Sequence, residues 1–322
     1  MGTEKKKIYK SIDKRLITEG AKVDFTVYEA DNTKTQMTAF LQSDTVVCGD
    51  KKVYLREIEN LYVDQDEYNR YESYAEKHLH SIASNPDIPF TEKADIVYKK
   101  ASEVMDNLFK NPDSLENMQK SQNIVDGFVS LALQDEATLE SIMKIAAHDY
   151  YTHTHSINVS IYSLSLAKFL GLKDKDLEDM GMASMMHDLG KSKVDAAIIN
   201  KNGKLSDAEF TEMKNHPQRG YDIAVKMGIK DSRILSGIRD HHEKLDGGGY
   251  PRGLKDKQIS LFARIIAVAD VFDALTTKRS YKDAMPSFQA IKIMKNQMDT
   301  HLDMRLINAL VKMCAVREKR DE

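Results

Sequence analysis

Hydrophobic and polar residues follow two different periods along the chain, and the change falls near residue 64. Before that point apolar residues recur at every second position, as in Val23, Phe25 and Val27, which is the period of a half-buried β-strand. The pattern predicts a small β-rich (α+β) N-terminal domain. The predicted strand segments are 23–27, 37–39, 46–47, 53–55 and 61–63.

After residue 64 the apolar spacing is that of helices. Tyr68, Tyr71 and Tyr74 recur at helical spacing, and we interpret this aromatic stripe as core or interdomain packing rather than a ligand platform. Long amphipathic stretches predict further helices at 114–134 and 136–147. The C-terminal part of the chain is therefore predicted to be all-helical.

A break in the helical pattern lies at 84–89, a segment that contains two prolines, and prolines interrupt helices. We place the domain boundary there, with a regulatory or sensor-like domain at residues 1–84 and a helical domain at 85–322. The predicted fold class is mainly α, with the small β-rich domain in front. The sequence of the N-terminal domain does not identify a signal that it senses.

Composition narrows the possible partners. The 322 residues are 41% hydrophobic and 30% charged, with a net charge of −3, so the chain has no overall basic character for a nucleic-acid polymer or an anionic membrane. It has two cysteines and no apolar run near the roughly 18 residues that a membrane span needs. These features predict a cytoplasmic protein without a membrane anchor.

Half of the histidines lie in short polar groups within apolar, helical surroundings, where an unused polar side chain is costly. A lone histidine of this kind is more often a hydrogen-bonded core residue, but the repetition here favours metal ligation. Five imidazoles and two carboxylates exceed what one ion takes while keeping an open position, so the count predicts two ions. The candidate ligands are His155, His187, Asp188, His216, His241, His242 and Asp270.

Together with Lys191 and the glycine-rich loop that ends in Gly249-Tyr250-Pro251, these residues resemble the HD-GYP family over residues 145–315. This family is the metal-dependent cyclic di-GMP phosphodiesterase branch of the HD superfamily. A bare pattern of His, His-Asp and Asp would indicate only some HD-type phosphohydrolase. The additional His216, the histidine pair 241–242 and the loop narrow the resemblance.

The resemblance implies hydrolysis of cyclic di-GMP to pGpG, GMP or both, through a dinuclear centre with a bridging hydroxide. It carries the ligand roles to the same seven residues, with Asp188 as the bridge. It favours iron; manganese is the alternative, and nickel or zinc could occupy the site on purification. Members with a third metal have a glutamate where this chain has Tyr151, so we expect two ions and structural roles for Asp149 and His153.

Substrate-binding residues follow from spacing and from the resemblance. Lys191 lies three residues after Asp188, on the same helical face, where it could neutralise a phosphate oxygen or assist the departing ribose oxygen. The resemblance assigns substrate contact to Tyr250 in the glycine-rich loop, and we predict the same role for its neighbour Gly249. It assigns guanine binding to Arg279 and Lys282, for which a charged surface turn is the alternative. It also implies that the loop recognises GGDEF-domain proteins.

Three points stay open from the sequence. Asp273, close to Asp270 on the same predicted helix, either supports a ligand or faces solvent. The protein could instead be a cyclic di-GMP receptor or adaptor with little turnover. It could also be an HD phosphohydrolase that acts on another nucleotide, including a mixed cyclic dinucleotide.

Overall fold

The computed structural model describes residues 7–31, 36–49, 54–55, 57–134, 152–278 and 284–315. The chain divides into two compact units, Met1–Ile88 and Pro89–Glu322. The first carries an antiparallel sheet and the second is helical, so the predicted fold class is confirmed. The assignment of a regulatory role to residues 1–84 and a catalytic role to 85–322 stays a prediction. No helix among the described residues is apolar over a length that could cross a membrane.

The first unit is built on a four-stranded antiparallel sheet with the order β1-β6-β3-β4, and β2 pairs separately with β5. The long α-helix α1 (Tyr68–Ser84) comes after the last strand. The strands are β1 (Tyr9–Ile12), β2 (Lys22–Val23), β3 (Val27–Ala30), β4 (Met37–Leu41), β5 (Thr45–Val46) and β6 (Leu61–Asp64).

The alternating apolar residues and the tyrosine stripe form one core in this unit. Val23, Phe25 and Val27 are completely buried. The ring of Phe25 meets the rings of Tyr71 and Tyr74 edge to face, at centroid distances of 5.7 and 5.4 Å, a favourable aromatic arrangement. The predicted core role is confirmed for Tyr71 and Tyr74, whereas Tyr68 is only half-buried, with the ammonium of Lys10 over its ring.

Three local features differ from the prediction. The predicted strand 23–27 is interrupted, because β2 ends at Val23, the chain bends at residues 24–25, and β3 begins at Val27. Tyr54 and Leu55, predicted as strand, are helical; so short an apolar run does not distinguish the two states. Strand β1 was not predicted, because only Ile12 of its four residues is buried and an edge strand of that kind shows no alternation. Its partner is β6, with Tyr9 opposite Asp64.

In the second unit, eleven helices have described bounds. Helix α3 matches the predicted stretch 114–134, and Ser114 caps it by accepting a hydrogen bond from the Asn117 amide; the predicted helix 136–147 lies outside the described residues. The helices are α2 (Phe90–Lys110), α3 (Leu115–Ala132), α4 (Thr152–Phe169), α5 (Lys175–Met185), α6 (Ala196–Ile199), α7 (Asp207–Met213), α8 (His216–Lys226), α9 (Ser232–Asp240), α10 (Leu261–Thr276), α11 (Ser287–Gln297) and α12 (Met304–Ala315).

Helix α4 is the centre of this unit. Every residue from Thr154 to Ala167 is buried, because α2, α3, α5, α10 and α12 pack around it. A helix that is enclosed on all sides has no polar face. Ser165 bonds back to the Ile161 carbonyl in the preceding turn, a common solution for hydroxyls inside helices, whereas the hydroxyl of Ser163 is buried without a hydrogen-bond partner among the described residues.

Candidate metal centre

The seven predicted ligands lie on α4 and α10 and at the ends of α5, α8 and α9. His155 is in the first turn of α4, His187-Asp188 follow α5, His216 begins α8, His241-His242 follow α9, and Asp270 lies within α10. Five of them are at most 2% exposed: His155, His187, Asp188, His216 and His241. Residues separated by up to 115 positions are thus brought into one buried cluster.

The cluster consists of two groups that share one carboxylate. In the first, His155, His187 and Asp188 offer ligand atoms within 4.8 Å of one another; in the second, Asp188 does so with His216, His241 and His242. Asp188 is therefore common to both groups. Asp270 lies beside the groups without completing either at that distance.

Asp270 nevertheless faces both histidine sets. Its Oδ1 is 3.1 Å from Nε2 of His155, and its Oδ2 is 3.9 Å from Nδ1 of His242. Burial alone would raise the pKa of Asp270, but the hydrogen bond and charge of His155 hold it far below its usual value. The carboxylate is thus ionised and available as a ligand.

Three histidines have their rings fixed by hydrogen bonds from Nδ1 to backbone carbonyls. Because Nδ1 must carry the proton to donate, Nε2 keeps its lone pair, and this lone pair points into the cluster in each case. The pairs are His187 with the Ser184 carbonyl (2.6 Å), His216 with Met213 (2.8 Å) and His241 with Ile238 (2.8 Å).

Several polar atoms of the cluster remain unsatisfied. Nε2 of His187 and Oδ1 of Asp188 are buried without a hydrogen-bond partner among the described residues. The two proton-free Nε2 atoms of His216 and His241 lie 3.4 Å apart. Unpaired buried acceptors facing one another are costly, and a divalent cation between them satisfies them. The donor set therefore fits a metal centre.

The electrostatics of the cluster agree with metal binding. Burial lowers the pKa of His187 and, further, of His241, and it lowers the pKa of His242 to about 3. Burial would raise the pKa of Asp188, but the charge of Lys191 and the neighbouring imidazoles hold it well below its usual range. At neutral pH His187, His241 and His242 are therefore neutral and Asp188 is ionised, which are the forms that bind metal.

A second layer of hydrogen bonds fixes His155. Its Nδ1 lies 2.6 Å from Oδ2 of Asp273, whose side chain is completely buried. The other oxygen, Oδ1, accepts from Asn158 (3.0 Å) and from Thr277 (2.8 Å), and Asn158 in turn accepts from Tyr98 (2.9 Å). Asp273 is therefore bonded to the predicted ligand His155 and does not face solvent.

Lys191 lies in the short 3₁₀ turn Leu189–Lys193 that follows the ligand pair. Its Nζ is 2.5 Å from Oδ2 of Asp188. The turn passes so close to α8 that a Cβ on Gly190 would lie 1.9 Å from the His216 carbonyl oxygen. Glycine at this position is what lets the lysine and both groups of ligands meet.

The glycine-rich loop lies against the cluster through Tyr250. Its ring stacks on the imidazole of His242 at a centroid distance of 4.8 Å. Gly249 packs on the backbone, since a Cβ there would lie 2.4 Å from Cα of Glu243. The structure gives Gly249 a steric reason, and its predicted substrate contact stays a prediction.

The remaining predicted residues lie apart from the cluster or outside the described residues. His153 is half-buried on α4 and belongs to neither ligand group. Asp149, Tyr151, Arg279 and Lys282 lie outside the described residues. The predicted guanine-binding pair is therefore not placed by the structure.

Comparison with known proteins identifies the family of the chain. The model of the HD domain family matches residues 136–306 of the chain. The chain belongs to the HD domain family. This HD domain chain is 36% identical over 196 residues to the cyclic di-GMP phosphodiesterase PA4108 of Pseudomonas aeruginosa. The matched region covers 61% of this chain and 47% of that relative.

It is also 37% identical over 225 residues to the 3'3'-cGAMP-specific phosphodiesterase 3 of Vibrio cholerae, covering 66% of the chain and 48% of the relative. The HD domain chain thus spans about half the length of the curated relatives it matches.

Among solved structures, an HDG"Y"P protein from Bdellovibrio bacteriovorus, Bd1817, has a similar fold, with a TM-score of 0.64 at 20% identity. The match covers 96% of this HD domain chain and 100% of that chain. This likeness shows the fold, and the match of the HD domain model to residues 136–306 confirms the predicted membership of the HD superfamily.

Proposed function

We propose that this protein is a metal-dependent phosphodiesterase that hydrolyses cyclic di-GMP. The observation that carries the proposal is the position of Asp188 in both buried ligand groups, because adjacent ions joined by one carboxylate can hold the attacking and leaving oxygens of a phosphodiester. The name of the Pseudomonas relative supports the substrate. The proposed products are linear pGpG and, after a second cut, GMP.

In this proposal the ligands are the seven residues predicted from the sequence. His155 and His187 would hold one ion, His216, His241 and His242 would hold the other, and Asp188, which belongs to both groups, would contribute to each. Asp270 completes the set through the oxygen that faces His155. When bound, the ions supply Lewis acidity to one phosphate and lower the pKa of the attacking water. Imidazole and carboxylate donors without thiolate fit iron or manganese, and the family resemblance favours iron.

Lys191 is the proposed partner of the leaving group. Its ammonium contacts Oδ2 of Asp188, so it lies beside the carboxylate that the two ligand groups share. A phosphate bound at the metal centre would lie close to this ammonium. From there it can neutralise a non-bridging oxygen and give a proton to the departing 3′ oxygen. Tyr250 can present its ring to a guanine base. Binding of guanine by Arg279 and Lys282 is proposed from the family resemblance, as are a GGDEF-domain partner and the cytoplasmic location.

A second candidate substrate is the mixed cyclic dinucleotide 3'3'-cGAMP. The Vibrio relative that is specific for it by name is as similar to this chain as the cyclic di-GMP enzyme, at 37% against 36% identity. Both substrates have two 3′–5′ phosphodiester bonds and at least one guanine. The same centre serves either, and the base contacts decide between them.

The test is anaerobic purification with metal analysis, followed by incubation with each dinucleotide and chromatographic identification of the products. Asp188→Ala, which removes the shared ligand, is expected to lose metal and turnover. Asp195→Ala, which removes an exposed helix-capping aspartate, is the matched control and should keep both. Tight binding of cyclic di-GMP without hydrolysis, after reconstitution with iron and with manganese, would overturn the enzyme and favour the receptor.

A further inference from the structure

The loop from Asp246 to Leu254 is wound around one buried carboxylate, that of Glu243, which is 4% exposed. Oε1 of Glu243 accepts a hydrogen bond from the Arg252 amide at 2.6 Å, and Oε2 accepts one from the Leu254 amide at 2.9 Å. Hydrogen bonds to an ionised carboxylate are stronger than neutral ones. Each oxygen thus fixes one backbone position of the loop.

The loop is tied to the same stretch of chain at two further points. The Tyr250 amide donates to the His242 carbonyl at 3.2 Å, and Nη1 of Arg252 donates to Oδ2 of the buried Asp240 at 3.3 Å. The Glu243 bonds hold the amides at 252 and 254. They therefore hold the part of the loop that follows Tyr250, where no other backbone bond of the described residues reaches Arg252 or Leu254.

Glu243 does not act as a ligand in this arrangement. It is adjacent to His242 in sequence, but it belongs to neither ligand group, and both of its oxygens are engaged by amides. What it controls is the path of the loop, and through it the ring of Tyr250, which stacks on His242. A shift of the loop moves Tyr250 relative to the metal centre.

We propose that Glu243 is a positioning residue for nucleotide recognition: its carboxylate sets the loop so that Tyr250 meets the cyclic dinucleotide beside His242. The inference rests on the proposed function, because it requires a nucleotide at the centre. It separates two tasks within one site. The ligand groups act on the phosphodiester, whereas Glu243 acts on the affinity for the bases.

The test is the Glu243→Gln variant, whose amide has a single acceptor oxygen and turns an NH₂ group toward one of the two loop amides. We expect KM for cyclic di-GMP to rise about tenfold, equivalent to about 1.4 kcal/mol, with kcat within about twofold. Metal content and hydrolysis of bis(p-nitrophenyl) phosphate, which has no bases for the loop to recognise, should stay at the wild-type level.

The matched control is Glu67→Gln. Glu67 also accepts a backbone hydrogen bond, from the Thr26 amide at 3.1 Å, but it lies in the N-terminal unit, so KM should not change. An unchanged KM in Glu243→Gln would overturn the inference. An equal loss of activity on cyclic di-GMP and on bis(p-nitrophenyl) phosphate, together with loss of metal, would also overturn it, because Glu243 would then support the metal centre itself. If Glu243→Gln does not fold, Glu243→Asp replaces it. A smaller rise in KM is then expected, and the absence of any rise would overturn the inference.

Hydrogen exchange separates this inference from the proposed function. In the protein without substrate, Glu243→Gln should speed exchange of the Arg252 and Leu254 amides, and unchanged exchange would overturn the positioning role. A wild-type protein that turns over neither cyclic dinucleotide would overturn the proposed function, and the role of Glu243 in setting the loop would then be decided by exchange alone.

Discussion

The Asp273→Asn variant is expected to lose metal affinity although Asp273 is not itself among the ligands. Asparagine has one acceptor oxygen where the carboxylate has two, so its NH₂ group must face either His155 or the opposite donors, Asn158 and Thr277. With NH₂ toward His155, the imidazole has to accept at Nδ1 and carry its proton on Nε2. That is the atom 3.1 Å from Asp270, and once protonated it cannot bind metal.

The magnitude follows from the position of Asp273 behind a ligand. Removal of such a partner typically lowers metal affinity by about 10- to 100-fold, or about 1.4 to 2.8 kcal/mol. The assay is titration of the metal-stripped protein with Mn²⁺ against a competing chelator, with thermal unfolding measured on the same samples.

The matched control for this experiment is Asp303→Asn. Asp303 is also a buried aspartate that accepts from several donors, Arg264 and Arg305 among them, but it lies outside both ligand groups. It should lose stability and keep its Mn²⁺ affinity. A folded Asp273→Asn protein that binds Mn²⁺ within twofold of wild type would refute the role of the carboxylate in fixing His155.

Three further outcomes are expected. Lys191→Met should retain both metals by elemental analysis and lose at least about 100-fold in kcat, as expected for a general acid; unchanged kcat would exclude it from the chemistry. Gly190→Ala should lower the melting temperature and the metal content together, because its Cβ would overlap the His216 carbonyl; wild-type melting would contradict the close packing. In the metal-free protein the unfolding free energy should fall as the pH drops from about 6.5 toward 3, because the pKa of His242 is lowered to about 3 by burial and the unfolded chain binds protons that the folded chain does not; denaturant unfolding at several pH values checks this, and a flat profile would contradict it.

The parts of the fold and site that the sequence predicted are those with repetition. Alternation revealed the buried Val23, Phe25 and Val27, and recurrence of histidines beside acids revealed the ligand groups. The role of Glu243 could not be predicted, because its partners are backbone amides, which any residue type supplies. Asp273 stayed ambiguous for a similar reason: its partners on α4 lie more than 110 positions away, and only tertiary packing brings them together.

One local rule does connect the sequence to the orientation of the ligands. The carbonyls that accept from His187, His216 and His241 each belong to the last turn of the preceding helix, at Ser184 in α5, Met213 in α7 and Ile238 in α9. Carbonyls in a last turn have no amide four residues on within the helix, and in each case the histidine three residues later donates to one.

His155 cannot use this arrangement, since it lies in the first turn of α4, where carbonyls accept the hydrogen bonds of the helix's own amides. Its Nδ1 partner is instead the side chain of Asp273. The tautomer of His155 thus depends on a side chain, which a single substitution can replace. The tautomers of the other three histidines depend on backbone carbonyls, which a substitution does not remove. The same reasoning predicts that substitutions at Ser184, Met213 or Ile238 that keep the helix ends leave their histidines in place, whereas Asp273→Asn does not.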